Sequence, residues 1–162
     1  MMDTFKLSAG ALEKIEREVG KYPPEQKQSA VMSALAIAQD EHGWLPNEVM
    51  DQVAQTLGMA PIAVYEVATF YAMYNLAPGG RHKITVCTNL PCALSGGADA
   101  ARHLQKCLGV GFNETTADGK ITLKEGECMG ACGDAPVLLV NNKRMCSFMS
   151  NEKLDQLIAE LE

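Results

Sequence analysis

The chain has 162 residues and a mass of 17.5 kDa, with 47% apolar and 21% charged side chains. That is room for one ordinary domain or two small ones, and a composition that excludes a disordered tail or a membrane protein. A net charge of -6 and a pI near 5.1 argue against general affinity for nucleic acid or anionic lipid, both of which reward Lys and Arg.

The opening MMDTFKLSAG lacks the charged start, apolar middle and small-residue cleavage site of a secretory signal. No apolar run approaches the ~18 to 20 residues needed to span a bilayer, so a cytoplasmic location is expected. Residues 1–80 carry ten acidic against five basic side chains, residues 81–162 ten against nine, and all six cysteines follow residue 80. Between the halves lies Pro78-Gly79-Gly80, which stops a helix and permits a turn. The expected fold class is therefore α+β, with an N-terminal helical bundle at 1–78 and an α/β domain at 81–162.

In the first half, Leu12, Ile15 and Val19 keep helical spacing after Ser8, a candidate N-cap, and Gly20 ends the turn. A second helix is expected from Pro24 through Val31, Leu35 and Ala38 to Gly43. A third follows Pro46 and closes at Gly58. A fourth follows Pro61, with Val64, Val67, Ala68 and Tyr71 on its inner side. Four short helices make a small bundle.

Beyond the boundary the period changes. Ile84 and Val86 alternate with polar residues in a strand that runs into Cys87. Residues 98–108 are Ala-rich and helical, with Gly109 as a stop, and 120–127 alternate again through Ile121 and Leu123. Residues 137–140 and 144–148 flank Asn141-Asn142, which tolerate the left-handed backbone of a tight hairpin. A last helix carries Leu154, Leu157, Ile158 and Leu161 behind Ser150. The expected order is β-α-β-β-β-α.

Four cysteines form two close pairs, Cys87-x4-Cys92 and Cys128-x3-Cys132, each at the end of an expected strand. A reducing compartment disfavours disulfides, and a chain of this length needs no staples. If the two strands are neighbours, four thiolates converge at one sheet edge, which is what zinc or an iron-sulfur cluster requires. Gly130, Ala131 and Gly133, with Ser95, Gly96 and Gly97, leave backbone N–H groups free to approach sulfur and favour a [2Fe-2S] cluster. Zinc and unrelated thiols remain open on spacing alone.

The run Cys87-Thr-Asn-Leu-Pro-Cys92, then 35 residues, then Glu127-Cys128-Met129-Gly130-Ala131-Cys132-Gly133-Asp134-Ala135-Pro136 resembles the motif of the thioredoxin-like [2Fe-2S] ferredoxins. It is most similar to the NuoE-type subunits of respiratory complex I, the NADH:quinone oxidoreductase. Gly43-Trp44-Leu45-Pro46, Val67-Ala68-Thr69-Phe70-Tyr71 and Gly80-Arg81-His82-Lys83-Ile84 extend the likeness over nearly the whole chain. Glu66, where many relatives have Gly, and Leu90-Pro91 before Cys92 depart from the pattern without touching a cysteine.

The resemblance implies a thioredoxin-like domain at 81–162 carrying one [2Fe-2S] cluster, with Cys87 and Cys92 on one iron and Cys128 and Cys132 on the other. It further implies an electron-carrier subunit without a catalytic residue of its own, docked on a NuoF-like flavoprotein that binds FMN and NADH. The setting would be the peripheral arm on the cytoplasmic face of the inner membrane. An NAD-linked hydrogenase or formate dehydrogenase could use an equivalent subunit. From other classes, a zinc-stabilised binding module remains open, and a thiol-disulfide oxidoreductase is weakened by the absence of Cys-x-x-Cys.

Other features favour plain structural roles. Cys107 in a helix and Cys146 on the hairpin are expected to be packed thiols. His42, His82 and His103 sit on separate elements and suggest surface or satisfied positions. The helix-turn-helix rhythm of 53–70 lacks any Lys or Arg between Lys27 and Arg81 to meet phosphate. Gly79-Gly80-Arg81 precedes a strand rather than a helix, and no nucleotide fingerprint occurs. Phe70, Tyr71 and Tyr74 are expected in the bundle core or interdomain seam, with a partner-facing anchor as the sharper alternative.

Overall fold

The structure, a computed structural model, describes residues 5–161. The chain divides into two units that meet between Pro78 and Gly79.

In the first unit, Ser8 Oγ accepts the Ala11 N–H at 3.1 Å and starts α1 (Ala9–Val19), satisfying one of the donors that every helix start leaves open. The expected second helix is two elements: a 3-10 segment over Pro24–Ala30 and α2 (Val31–His42), with Gln26 at φ -118° and ψ 28° breaking the first. Residues 24–30, Pro-Glu-Gln-Lys-Gln-Ser-Ala, offer almost nothing apolar to bury, so the regular helix begins only where Val31 does. α3 (Asn47–Leu57) follows Pro46 and α4 (Pro61–Phe70) opens on its own proline. Gly43 and Gly58 close α2 and α3 with left-handed backbone.

The core of this unit is built from Ile15, Leu35, Leu45, Val49, Val53 and Val64, all at most 1% exposed. Along α4 only Val64 and Ala68 are buried. Val67 is half-buried, and Tyr71 lies beyond the helix, 39% exposed, which corrects its expected place on the inner side. The aromatic group also divides. Tyr74 is buried and donates its hydroxyl to Met32 O at 2.9 Å, whereas Phe70 is 80% exposed and meets Tyr71 edge to face. A core role holds for Tyr74 alone.

The second unit is a five-stranded mixed sheet in the order β2-β3-β1-β4-β5. Its strands are β1 (His82–Cys87), β2 (Glu114–Thr115), β3 (Ile121–Gly126), β4 (Leu138–Val140) and β5 (Arg144–Cys146). β1 and β3 run parallel, and the remaining pairs are antiparallel. A parallel pair needs a crossover, and α5 (Leu90–Leu94) and α6 (Gly97–Leu108) supply it before α7 (Asn151–Leu161) ends the unit. α6 packs on β1 and β3, and α7 on α6. Relative to the expected order, the structure adds the two-residue edge strand β2 and the single-turn α5.

The tight turn between β4 and β5 has Asn141 and Asn142 at φ 54° and 56°. Ile84, Val86, Leu104, Leu123, Leu138 and Leu154 form the core. No helix among the described residues is long and apolar enough to cross a membrane.

Candidate metal centre

β1 occupies the middle of the sheet and is buried along most of its length. Its last residue, Cys87, pairs in register with Gly126, the last residue of β3. Both strands therefore leave the sheet at the same edge, one toward Cys92 and the other toward Cys128 and Cys132. Thr88 N–H still reaches Gly126 O at 3.2 Å, and Thr88 Oγ1 donates to Glu125 Oε1 at 2.6 Å. On the other side of β1, Cys87 N–H donates to Val137 O at 3.1 Å. The strand end is tied to both neighbours.

From that edge the first loop turns into α5, where Pro91 stands in the first turn and Cys92 faces inward. Ser95 N–H closes the turn on Cys92 O at 3.1 Å, and Gly96, at φ +92°, redirects the chain into α6. Gly97 then lies directly against the cysteine backbone: a Cβ there would stand 2.7 Å from Cys87 O and 2.8 Å from Cys92 O. Only glycine permits that approach.

The second loop places Cys128 two residues past β3, then turns through Gly130 at φ +68° to Cys132, the first residue of a 3-10 turn over Cys132–Asp134. Gly130 N–H donates to Cys128 Sγ at 3.4 Å. Beyond it, the Ala135-Pro136 bond is cis, and Asp134 O and Pro136 O accept from Phe148 N and Met149 N at 2.8 and 3.0 Å. The loop is anchored to the segment after β5.

Cys87 and Cys92 are each 1% exposed and form a small cluster with Val137, bordered by Met129, Ala131 and Ala135. The Cys92 thiol is pushed up to about 12, first by burial and then by hydrogen bonds and charge from Cys87 and Cys132. Three of the four expected cysteines thus have their sulfurs together, drawn from both loops. Cys128 is exposed on the same loop as Cys132. A buried thiol that resists ionisation in this way is a poor free nucleophile. A cation is what would draw the proton off, and an all-sulfur donor set with an N–H donated to sulfur suits zinc or an iron-sulfur cluster. The residues fit such a group.

Cys146 is buried, as expected of a packed thiol. Cys107 is not: it is exposed, with its Sγ 3.4 Å from His103 Nε2 and 3.6 Å from Asp155 Oδ1. This corrects both the packing role expected of Cys107 and the isolation expected of His103. The signal was the four-residue interval between them, which places both on one side of a helix. Asp155 could not be added without knowing that α7 packs on α6.

Residues 15–162 match the family described as thioredoxin-like [2Fe-2S] ferredoxin. The chain is 42% identical to a NuoE-type subunit of the NADH-quinone oxidoreductase of Rickettsia felis, over 99% of this chain and 96% of that protein. It is 45% identical to the second such subunit of Rhizobium meliloti, also named for NADH-quinone oxidoreductase, over 80% of this chain and 76% of that one. Among solved structures, an NAD+-reducing [NiFe]-hydrogenase in the H2-reduced state is similar over 78% of this chain with a TM-score of 0.66 at 21% identity, a likeness of fold. The chain spans only 22% of that hydrogenase chain.

Proposed function

This chain belongs to the thioredoxin-like [2Fe-2S] ferredoxin family, and from that premise we propose that it is an electron-transfer subunit of an NADH-quinone oxidoreductase. In this reading residues 81–162 are the cluster-bearing domain, and Cys87, Cys92, Cys128 and Cys132 hold one [2Fe-2S] cluster. The observation that carries it is the parallel register of β1 and β3, which pairs Cys87 with Gly126 and sends both cysteine loops from one sheet edge.

A cluster held there supplies one-electron transfer. The protein's part is to position it. The hydrogen bonds of Cys87 and Thr88 to the flanking strands fix the first loop. The Gly97 contact holds α6 against Cys87 and Cys92, and the apolar border formed by Val137, Met129 and Ala135 limits water on the buried side. The Gly130 N–H favours negative charge on Cys128 Sγ. No acid, base or nucleophile of this chain takes part.

The partner in this reading is a NuoF-like flavoprotein that binds FMN and NADH, within a peripheral arm on the cytoplasmic face of the membrane. Two relatives at 42% and 45% identity carry the quinone oxidoreductase name, which favours that assembly over a hydrogenase matched in fold alone.

The test is the visible and EPR spectrum of anaerobically purified protein before and after dithionite. Red-brown protein that gives one spin-half signal on reduction supports the reading. A colourless, EPR-silent protein carrying zinc after growth on ample iron would remove the redox role.

A further inference from the structure

A second cluster of donor atoms lies on the surface formed by α6 and α7, on side chains that the cysteine loops do not use. His103 Nε2 is 2.7 Å from Asp155 Oδ1 and 3.4 Å from Cys107 Sγ, and Cys107 Sγ is 3.6 Å from Asp155 Oδ1. All three donor atoms lie within 4.8 Å of one another. His103 and Cys107 are one helical turn apart on α6, and Asp155 comes from α7.

Two ordinary explanations fit less well. A Cys-His-Asp catalytic triad needs the thiol and the carboxylate on opposite ring nitrogens, so that the imidazole can pass a proton between them. Here both approach the same nitrogen, Nε2. A simple His-Asp surface pair would use that nitrogen once and leave the sulfur without a reason to stand beside it.

Convergence of N, S and O on one point is what a metal ion requires. Ligands at zinc distances of about 2.0–2.3 Å, arranged tetrahedrally, stand about 3.3–3.7 Å apart. The two distances from Cys107 Sγ already fall in that range. Only the His103–Asp155 pair is closer, and the Asp155 side chain, 57% exposed, is free to open by a few tenths of an ångström. The donor set excludes magnesium and calcium, which take oxygen. A thiolate and a carboxylate together neutralise a divalent charge.

We infer that His103 Nε2, Cys107 Sγ and Asp155 Oδ1 form a three-ligand site for a borderline divalent cation, zinc by its donor chemistry, with the fourth position open to solvent. The solvent-facing position of Cys107 and Asp155 makes the site reachable without unfolding. It is separate from the Cys87, Cys92, Cys128 and Cys132 loops in sequence and in ligand chemistry. It also goes beyond the electron-transfer reading, which assigns these three side chains nothing.

The test uses the full chain with its iron content measured. After a chelator wash, the protein is titrated anaerobically with zinc against a chromophoric competitor, and zinc and iron per chain are determined. One zinc beyond the iron is expected, with affinity falling at least about tenfold in Cys107→Ser and in His103→Gln, since even outer-shell changes cost about 10- to 100-fold. Iron per chain and the circular dichroism spectrum should not change in either variant. The inference is overturned if wild type and both variants bind zinc equally or not at all. Should the iron cluster fail to assemble, zinc held by the cysteine loops would be lost in Cys128→Ser and kept in Cys107→Ser, so the two readings fail separately.

Discussion

Gly97 sits against Cys87 so closely that a single added carbon would stand 2.7 Å from the Cys87 carbonyl oxygen and 2.8 Å from that of Cys92. The first turn of α6 and the two buried cysteines are therefore one packed unit. Gly97→Ala must push them apart. Overpacking of this kind costs about 1–3 kcal/mol, and the displacement acts on both sulfurs. The expected result is a lower denaturation midpoint together with reduced iron per chain. Wild-type iron content with unchanged stability would refute the coupling.

The two cysteine loops should respond differently to serine. Cys92 is 1% exposed, so Cys92→Ser buries a hydroxyl in an apolar border and should cost the metal-free chain about 1–3 kcal/mol where that hydroxyl lacks a good partner. Cys128 is exposed, and Cys128→Ser should leave the metal-free chain within about 0.5 kcal/mol of wild type. Both variants should lose the cluster. Urea denaturation of the metal-free proteins, with iron analysis of the reconstituted ones, checks the pair.

Gly130 donates its N–H to Cys128 Sγ from left-handed backbone, φ +68°, with nothing within 4 Å of where a Cβ would be. Gly130→Ala therefore meets backbone strain and no clash, a cost of about 1 kcal/mol. If the loop relaxes, the hydrogen bond to sulfur lengthens. Such bonds favour the reduced, more negative cluster, so its midpoint should move to lower potential by about 20–40 mV, equivalent to part of one hydrogen bond for a one-electron couple. Protein-film voltammetry or a redox titration followed by EPR would read the shift, and an upward move would contradict the assignment.

Tyr74 is the buried member of its aromatic group, and burial, followed by the charge of Tyr71, pushes its phenol from 10.0 up to about 12. The unfolded chain ionises this group near pH 10 while the folded chain keeps its proton until about 12. In that window the folded state holds more protons, so stability is fully present below the lower pH and is lost as pH rises through the upper one. Tyr74→Phe removes this term and the hydrogen bond to Met32 O. It should cost about 1 kcal/mol at neutral pH and flatten the alkaline decline. Urea denaturation at several alkaline pH values would show whether the slope changes.

What the sequence by itself determined is short-range. Ser8, Gly43, Gly58 and Gly109 mark helix ends because a cap or a left-handed stop depends on the dihedral angles of one residue and hydrogen bonds to its near neighbours. Asn141-Asn142 marks the turn between β4 and β5 for the same reason. The paired spacing of Cys87 with Cys92 and of Cys128 with Cys132, inside a longer family motif, carries the chemistry without any coordinates. Tertiary structure alone decided the rest. Glu114–Thr115 is too short to show a period and becomes a strand only because β3 offers it an edge. Tyr71 has the spacing of an inner residue but falls one position past the end of α4, where the chain turns away. That β1 lies beside β3, and that Asp155 comes across 52 residues to His103, depends on how two elements pack. Such contacts are selected by the burial of the whole core, so no local pattern of residues announces them.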